Sequence, residues 1–174
     1  MIVRSGFVSN SSSSSFIVIG TGERFNQKDI LGAGFDYYII GVNGRTDFGW
    51  EFATYTDFNS RVNFCLLQSL ESGNENHYQV LIETLFDYLK VPIYVALTVS
   101  YGDEDKFPKK YLEDYQQTRD EFNDRCLTRG YIDHQSSVVE GENMEMFESV
   151  ESLRDFLFNT DSYIETGNDN DEEY

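Results

Sequence analysis

Five consecutive serines, Ser11, Ser12, Ser13, Ser14 and Ser15, stand directly before the apolar run Phe16-Ile-Val-Ile19. Hydroxyls and successive backbone N–H groups in such a run can cradle an anion. A phosphate loop, however, needs glycines and usually a lysine, as in GxxxxGK[ST], and the run has neither. A serine nucleophile needs a base and a strained elbow such as GxSxG, which the chain lacks. The run therefore reads first as an irregular polar entry to a strand.

The only histidines are His77, expected on a helix surface, and His134. His134 follows Asp133 in Tyr131-Ile-Asp-His-Gln-Ser136. A histidine near a carboxylate can be a general base or a metal ligand. Neighbours on a strand point to opposite faces, so Asp133 does not orient His134 there. If the five serines and His134 met in one concave pocket, they would form a small-ligand or enzymatic site, which is the alternative reading. Asp169-Asn-Asp-Glu-Glu173 lacks the central glycine and the spaced glutamate of a calcium loop, so it reads as an acidic tail. No catalytic residue, metal site or cofactor is expected, and the chain leans away from being an enzyme.

Charge is the strongest compositional feature. Asp and Glu total 31 against 13 Lys and Arg, for a net charge of −18. Residues 1–100 hold 10 acidic and 6 basic residues, and residues 101–174 hold 21 and 7. Such a field repels nucleic acid and anionic membranes and attracts basic surfaces. The competing reading is solubility alone.

The acidic residues fall in two groups. Asp114, Asp120, Glu121 and Asp124 fall on or near one predicted helix, and Glu145, Glu148, Glu151 and Asp155 follow after Glu140 and Glu142. Carboxylates on a rigid scaffold can imitate duplex phosphates, which carry about one charge per 1.7 Å. Lys109, Lys110, Arg119, Arg125 and Arg129 lie among them and would pair locally, which counts against a clean phosphate pattern.

The elements that must position these groups follow from periodicity. At 174 residues, with 40% hydrophobic residues, the chain suits one domain with a core. Strands are predicted at 16–19, 37–42 and 46–52, the last two joined as a hairpin by Asn43-Gly44. Asp57 caps a helix over 58–71, and a second helix covers 75–90 with Tyr78, Leu81/Ile82, Leu85 and Leu89 as its buried stripe. Residues 91–99 form a strand. Pro108 opens a third helix over 108–129, ended by Gly130. A further strand is expected at 131–136, a short strand or extended segment at 144–147, a fourth helix from Ser149, and an edge strand at Tyr163-Ile164. The order implies a single α+β domain over 1–166, with a mixed or mainly antiparallel sheet, about four helices and a disordered tail over 167–174. Cys65 and Cys126 are expected as reduced thiols on apolar helix faces. With no secretory leader pattern and no membrane-spanning run, a soluble intracellular protein is expected.

Arg4-Ser-Gly-Phe-Val-Ser-Asn-Ser-Ser-Ser-Ser-Ser-Phe16 resembles the opening of a loose group of small proteins encoded by bacteriophages and some bacteria, which begin R-x-GFVSNSSSSSF. The likeness covers about the first twenty residues. It implies a phage-encoded origin and the cytoplasm of the host cell as the place of action, and it supplies no activity or catalytic residues. The resulting expectation is a non-enzymatic protein whose acidic half binds and occludes the basic surface of a host protein, in host takeover or counter-defence. The partner would be a nucleic-acid-handling protein, with no direct contact to nucleic acid or membrane. A virion or assembly role is a third reading without a direct signal, and the oligomeric state is open.

Overall fold

The computed structural model describes residues 3–5, 14–49, 51–99, 104–133 and 145–167. Asp57 begins its central element. The Asp57 carboxylate accepts from Ser60 N at 2.8 Å and starts α2 (Phe58–Glu71), as predicted. Residues 60–70 of this helix are all buried, so it runs through the middle of the core. α3 (Glu75–Leu89) packs beside it through the expected stripe of Tyr78, Leu81, Leu85 and Leu89. α5 (Val150–Phe158) starts at Ser149, whose hydroxyl accepts from Ser152 N at 3.0 Å. The fold is α+β, completed by the short α1 (Gln27–Leu31) and by α4 (Lys109–Phe122).

One sheet is antiparallel, in the order β1 (Val3–Ser5), β2 (Ser14–Ile19), β9 (Tyr163–Gly167), β5 (Ala53–Tyr55). Two corrections follow. Tyr163-Ile164 belongs to an inner strand of this sheet, not an edge, because β9 pairs on both sides. Ser14 and Ser15 are strand residues opposite Gly167 and Thr166, and Ser15 is buried, so the polar entry ends before them.

The other ladders are parallel. β3 (Tyr38–Ile40) pairs with β6 (Ile93–Val95), while β7 (Leu97–Val99) pairs with β8 (Thr128–Ile132), which also pairs with β4 (Asp47–Phe48). The predicted strand over 91–99 changes neighbour at Ala96. The Ala96 N–H donates to Ile40 O on β3 at 2.9 Å, and the Ala96 carbonyl accepts from Thr128 N on β8 at 2.7 Å.

The predicted hairpin does not form. Gly44 has the turn conformation that Asn-Gly favours, with φ +81°, but β3 and β4 pair with different strands. Helix α2 holds the connection instead. Asn63 accepts from Gly41 N at 3.0 Å and donates to Asn43 O and Arg45 O at 2.8 and 2.9 Å. Ser60 Oγ accepts from Arg45 N at 2.7 Å. The segment crosses close over β7 and β8: a Cβ on Gly130 would meet Thr46 O, Leu67 and Leu97 at 2.9 Å.

Gly130 therefore lies within β8 and does not cap the third helix. That helix ends earlier, at Asn123, whose φ of +72° breaks it, and a 3-10 turn, Asp124–Cys126, follows. A second such turn, Glu145–Phe147, replaces the strand expected at 144–147. The strand expected at 131–136 is β8, shifted towards the N-terminus. Gly167, expected in the tail, is instead the last residue of β9, paired with Ser14; Trp50, residues 134–144 and the rest of the tail, 168–174, lie outside the described residues.

Candidate interaction surface

α4 carries Asp114, Asp120 and Glu121 of the eight predicted acidic residues, with Asp124 in the turn that follows, and two polar hooks seat it. Among the described strands β6 pairs only with β3, and on its other side Val95 N donates to Thr118 Oγ1 at 2.9 Å. Likewise β7 pairs only with β8, and Tyr111 Oη donates to Leu97 O at 2.6 Å. Tyr111 and Thr118 stand two turns apart on one face and are the buried residues of α4. The opposite face is thereby fixed towards solvent.

The four acidic residues there are held in different ways. Asp114 points inward: its side chain is 15% exposed, it pairs with Lys110, and it accepts from Tyr78 Oη at 2.6 Å. Asp124 is exposed and lies 3.5 Å from Arg119 Nε. Asp120 and Glu121 are exposed and are tethered by glutamines one turn earlier. Gln116 Nε2 donates to Asp120 Oδ1 at 2.9 Å, and Gln117 Nε2 donates to Glu121 Oε1 at 3.0 Å. A neutral amide orients a carboxylate without cancelling its charge. The Tyr94 pKa is raised, first by hydrogen bonding to Glu121, then by burial and by the charges of Glu121 and Asp36.

The second group is engaged mostly within the fold. Arg24 Nη2 reaches Glu151 Oε1 at 2.8 Å and Asp155 Oδ1 at 2.7 Å, one turn apart on α5. The hydrogen bond to Asp155 is the leading cause of the raised Arg24 pKa. Neighbouring backbone bonds fix the arginine there: Phe25 N donates to Phe158 O, and Thr160 N to Glu23 O, both at 2.8 Å. Arg154 lies 3.4 Å from the other Glu151 oxygen.

Glu145 and Glu148 belong to the turn before α5 and its first connection. Met146 is buried, and Phe147 stacks on His77 with centroids 4.6 Å apart. His77 is thus a half-buried structural residue rather than a surface one, and burial lowers its pKa. Glu148 is exposed, whereas Glu145 is half-buried with one oxygen lacking a hydrogen-bond partner among the described residues.

The eight predicted residues therefore do not act alike. Asp120 and Glu121 at the end of α4, with Asp124 in the turn after it, form an outward acidic group, Glu151 and Asp155 clamp Arg24, and Asp114 braces α4 against α3. Sequence reading missed the tethers Gln116 and Gln117, although their spacing of four from Asp120 and Glu121 was readable. It missed Arg24 because its partners lie more than a hundred residues away.

For the alternative site, Ser11, Ser12, Ser13 and His134 lie outside the described residues, and Ser14 and Ser15 belong to β2. Asp133 is buried at the end of β8, where Tyr131 Oη donates to it at 3.0 Å. Cys65 is a fully buried free thiol, its pKa raised by burial, and Cys126 is a half-buried one in the turn after α4 rather than on a helix face. Among the described residues there is no cluster of three or more His, Cys, Asp or Glu suited to a metal ion, and no helix long and apolar enough to cross a membrane.

No protein-family model matches the chain, and no curated protein or solved structure matches it.

Proposed function

We propose that this chain is a phage-encoded binding protein that occupies a basic surface of a host protein through the C-terminal end of α4. The observation that carries the reading is the pair of glutamine tethers. They hold Asp120 and Glu121 in place through neutral amides, while the carboxylates of α5 are bound to Arg24 and Arg154. Orienting the acids beforehand lowers the entropy lost on binding, and retained charge favours encounter with a basic partner. Phage origin rests on the opening string alone. Imitation of a phosphate backbone is the narrower form of the proposal, with a nucleic-acid-handling protein as the target. Asp120, Glu121 and Asp124 are its residues, interrupted by Arg119 and Arg125.

Affinity capture from bacterial lysate tests it, with wild type compared against an Asp120→Lys, Glu121→Lys, Asp124→Lys variant. The expected result is a basic partner that wild type retains at low salt and releases as salt shortens the screening length to a few ångström. The variant should not retain it. A partner held equally by the variant, or indifferent to salt, would contradict the proposal.

A further inference from the structure

Beside the acidic end of α4 lies an apolar groove of about 300 Å³. It runs along β3, which pairs with β6 on one side only among the described strands, and is walled by α1 and by the end of α4. Leu31, Phe35, Tyr37, Val42, Phe122 and Cys126 are among its lining residues. Phe35 and Val42 are 57% and 48% exposed, unusual for large apolar side chains so close together. The floor is rigid: Phe122 meets Tyr37 and Tyr94 with centroids 5.2 and 4.8 Å apart. The space equals about ten waters of liquid volume, enough for a few side-chain groups and too small for a folded element.

Charge selects the occupant. Asp36 stands between the lining residues Phe35 and Tyr37, and Glu121 precedes the lining residue Phe122. The flanking elements carry Asp29, Asp36, Asp120, Glu121 and Asp124 against Lys28, Arg119 and Arg125. Arg119 is drawn to Asp124. An apolar slot with a predominantly acidic rim suits aliphatic side chains flanked by lysine or arginine.

We infer that this groove receives a protein segment in which bulky aliphatic residues are flanked by lysines or arginines, as the apolar half of the interface whose acidic half is the end of α4. The inference rests on the binding reading above and adds the segment's chemistry. Aliphatic insertion supplies affinity through buried area, and the rim carboxylates reject acidic competitors.

Cys126 provides the test, because it lines the groove while Cys65, the only other cysteine, is fully buried. The rate of maleimide labelling at Cys126 is measured with three synthetic peptides: an amphipathic lysine/leucine helix, a lysine/serine peptide and a glutamate/leucine helix. Calorimetry records binding of each in parallel. The lysine/leucine peptide at about ten times its Kd should slow labelling about tenfold. The other two should leave the rate unchanged. Phe35→Ser and Val42→Ser, at exposed positions that leave the circular dichroism unchanged, should abolish the protection. Equal protection by the glutamate/leucine peptide, or no binding by any peptide, overturns the inference. Lysine/leucine binding without protection of Cys126 overturns it too. In that last case, loss of binding in the Asp120, Glu121, Asp124 reversal variant would leave the acidic-face reading standing.

Discussion

An Arg61→Met variant is expected to lose about 3 kcal/mol or more of unfolding free energy, because each buried carbonyl left without a donor costs about 1–3 kcal/mol. Arg61 is completely buried in α2. Its Nη1 donates to Phe156 O and Asn159 O, both at 2.7 Å, and its Nη2 to Thr56 O at 3.2 Å. The guanidinium also lies 5.2 Å from the centre of the Phe25 ring. Phe156 and Asn159 stand at the C-terminal end of α5, where carbonyls lack helical partners and the helix dipole is negative, while Thr56 lies in the lead-in to α2. Burial pushes its pKa down to about 10, and the Asp57 charge opposes that shift. Methionine fills much of the volume, so the variant isolates the lost hydrogen bonds from a cavity. The planar fork of arginine meets carbonyls in several directions, so lysine should rescue only part of the loss. Urea denaturation reads the effect as a lower midpoint at unchanged slope. A loss below about 1 kcal/mol would mean that water or other donors replace the guanidinium.

A Gly41→Ala variant should lose about 2–4 kcal/mol, from a strained backbone and an overpacked contact together. Gly41 has a φ of +95°. A Cβ there would lie 2.6 Å from Leu97 Cβ and 3.0 Å from Leu97 N. Leu97 is buried in β7, and the Gly41 N–H is committed to Asn63, so neither side yields easily. Relief requires lifting the crossing segment off β7, which moves Val42 and Asn43 out of the wall of the groove. The variant should therefore lose peptide binding as well as stability, unlike Arg61→Met, whose contacts lie on the side of α5. Chemical denaturation combined with the Cys126 labelling assay separates the two. Unchanged stability and unchanged protection would show that the segment shifts freely.

Local chemistry was readable in the sequence. Asp57 and Ser149 announced their helices, and Tyr78, Leu81, Leu85 and Leu89 announced the buried face of α3. Pairing was not readable. Asn43-Gly44 promised a hairpin and did deliver a glycine turn, but Asn63 and Ser60 on the following helix captured its backbone and sent the two strands to different partners. Short apolar runs do not reveal their neighbours, so Tyr163-Ile164 passed for an edge although it lies between β2 and β5. Helix α1, too short to show a periodicity, was absent from the sequence reading, and one wall of the groove with it.

The acidic surface was legible to the same degree. Pairing within a turn, as between Lys110 and Asp114, follows from spacing. Arg24 closing on Glu151 and Asp155 depends on the path of the chain between residues 22 and 25, which no local signal gives. Charge density alone therefore pointed to both helices, and geometry leaves Asp120 and Glu121 as the carboxylates held by amides rather than by arginines.

Hydrogen exchange on the complex with the captured basic partner tests the central claim most directly. Slowed exchange is predicted over residues 35–43 and 118–126, the wall of the groove and the acidic end of α4, with residues 150–158 unchanged. Protection confined to α5, or absent from both segments of the groove, would contradict it.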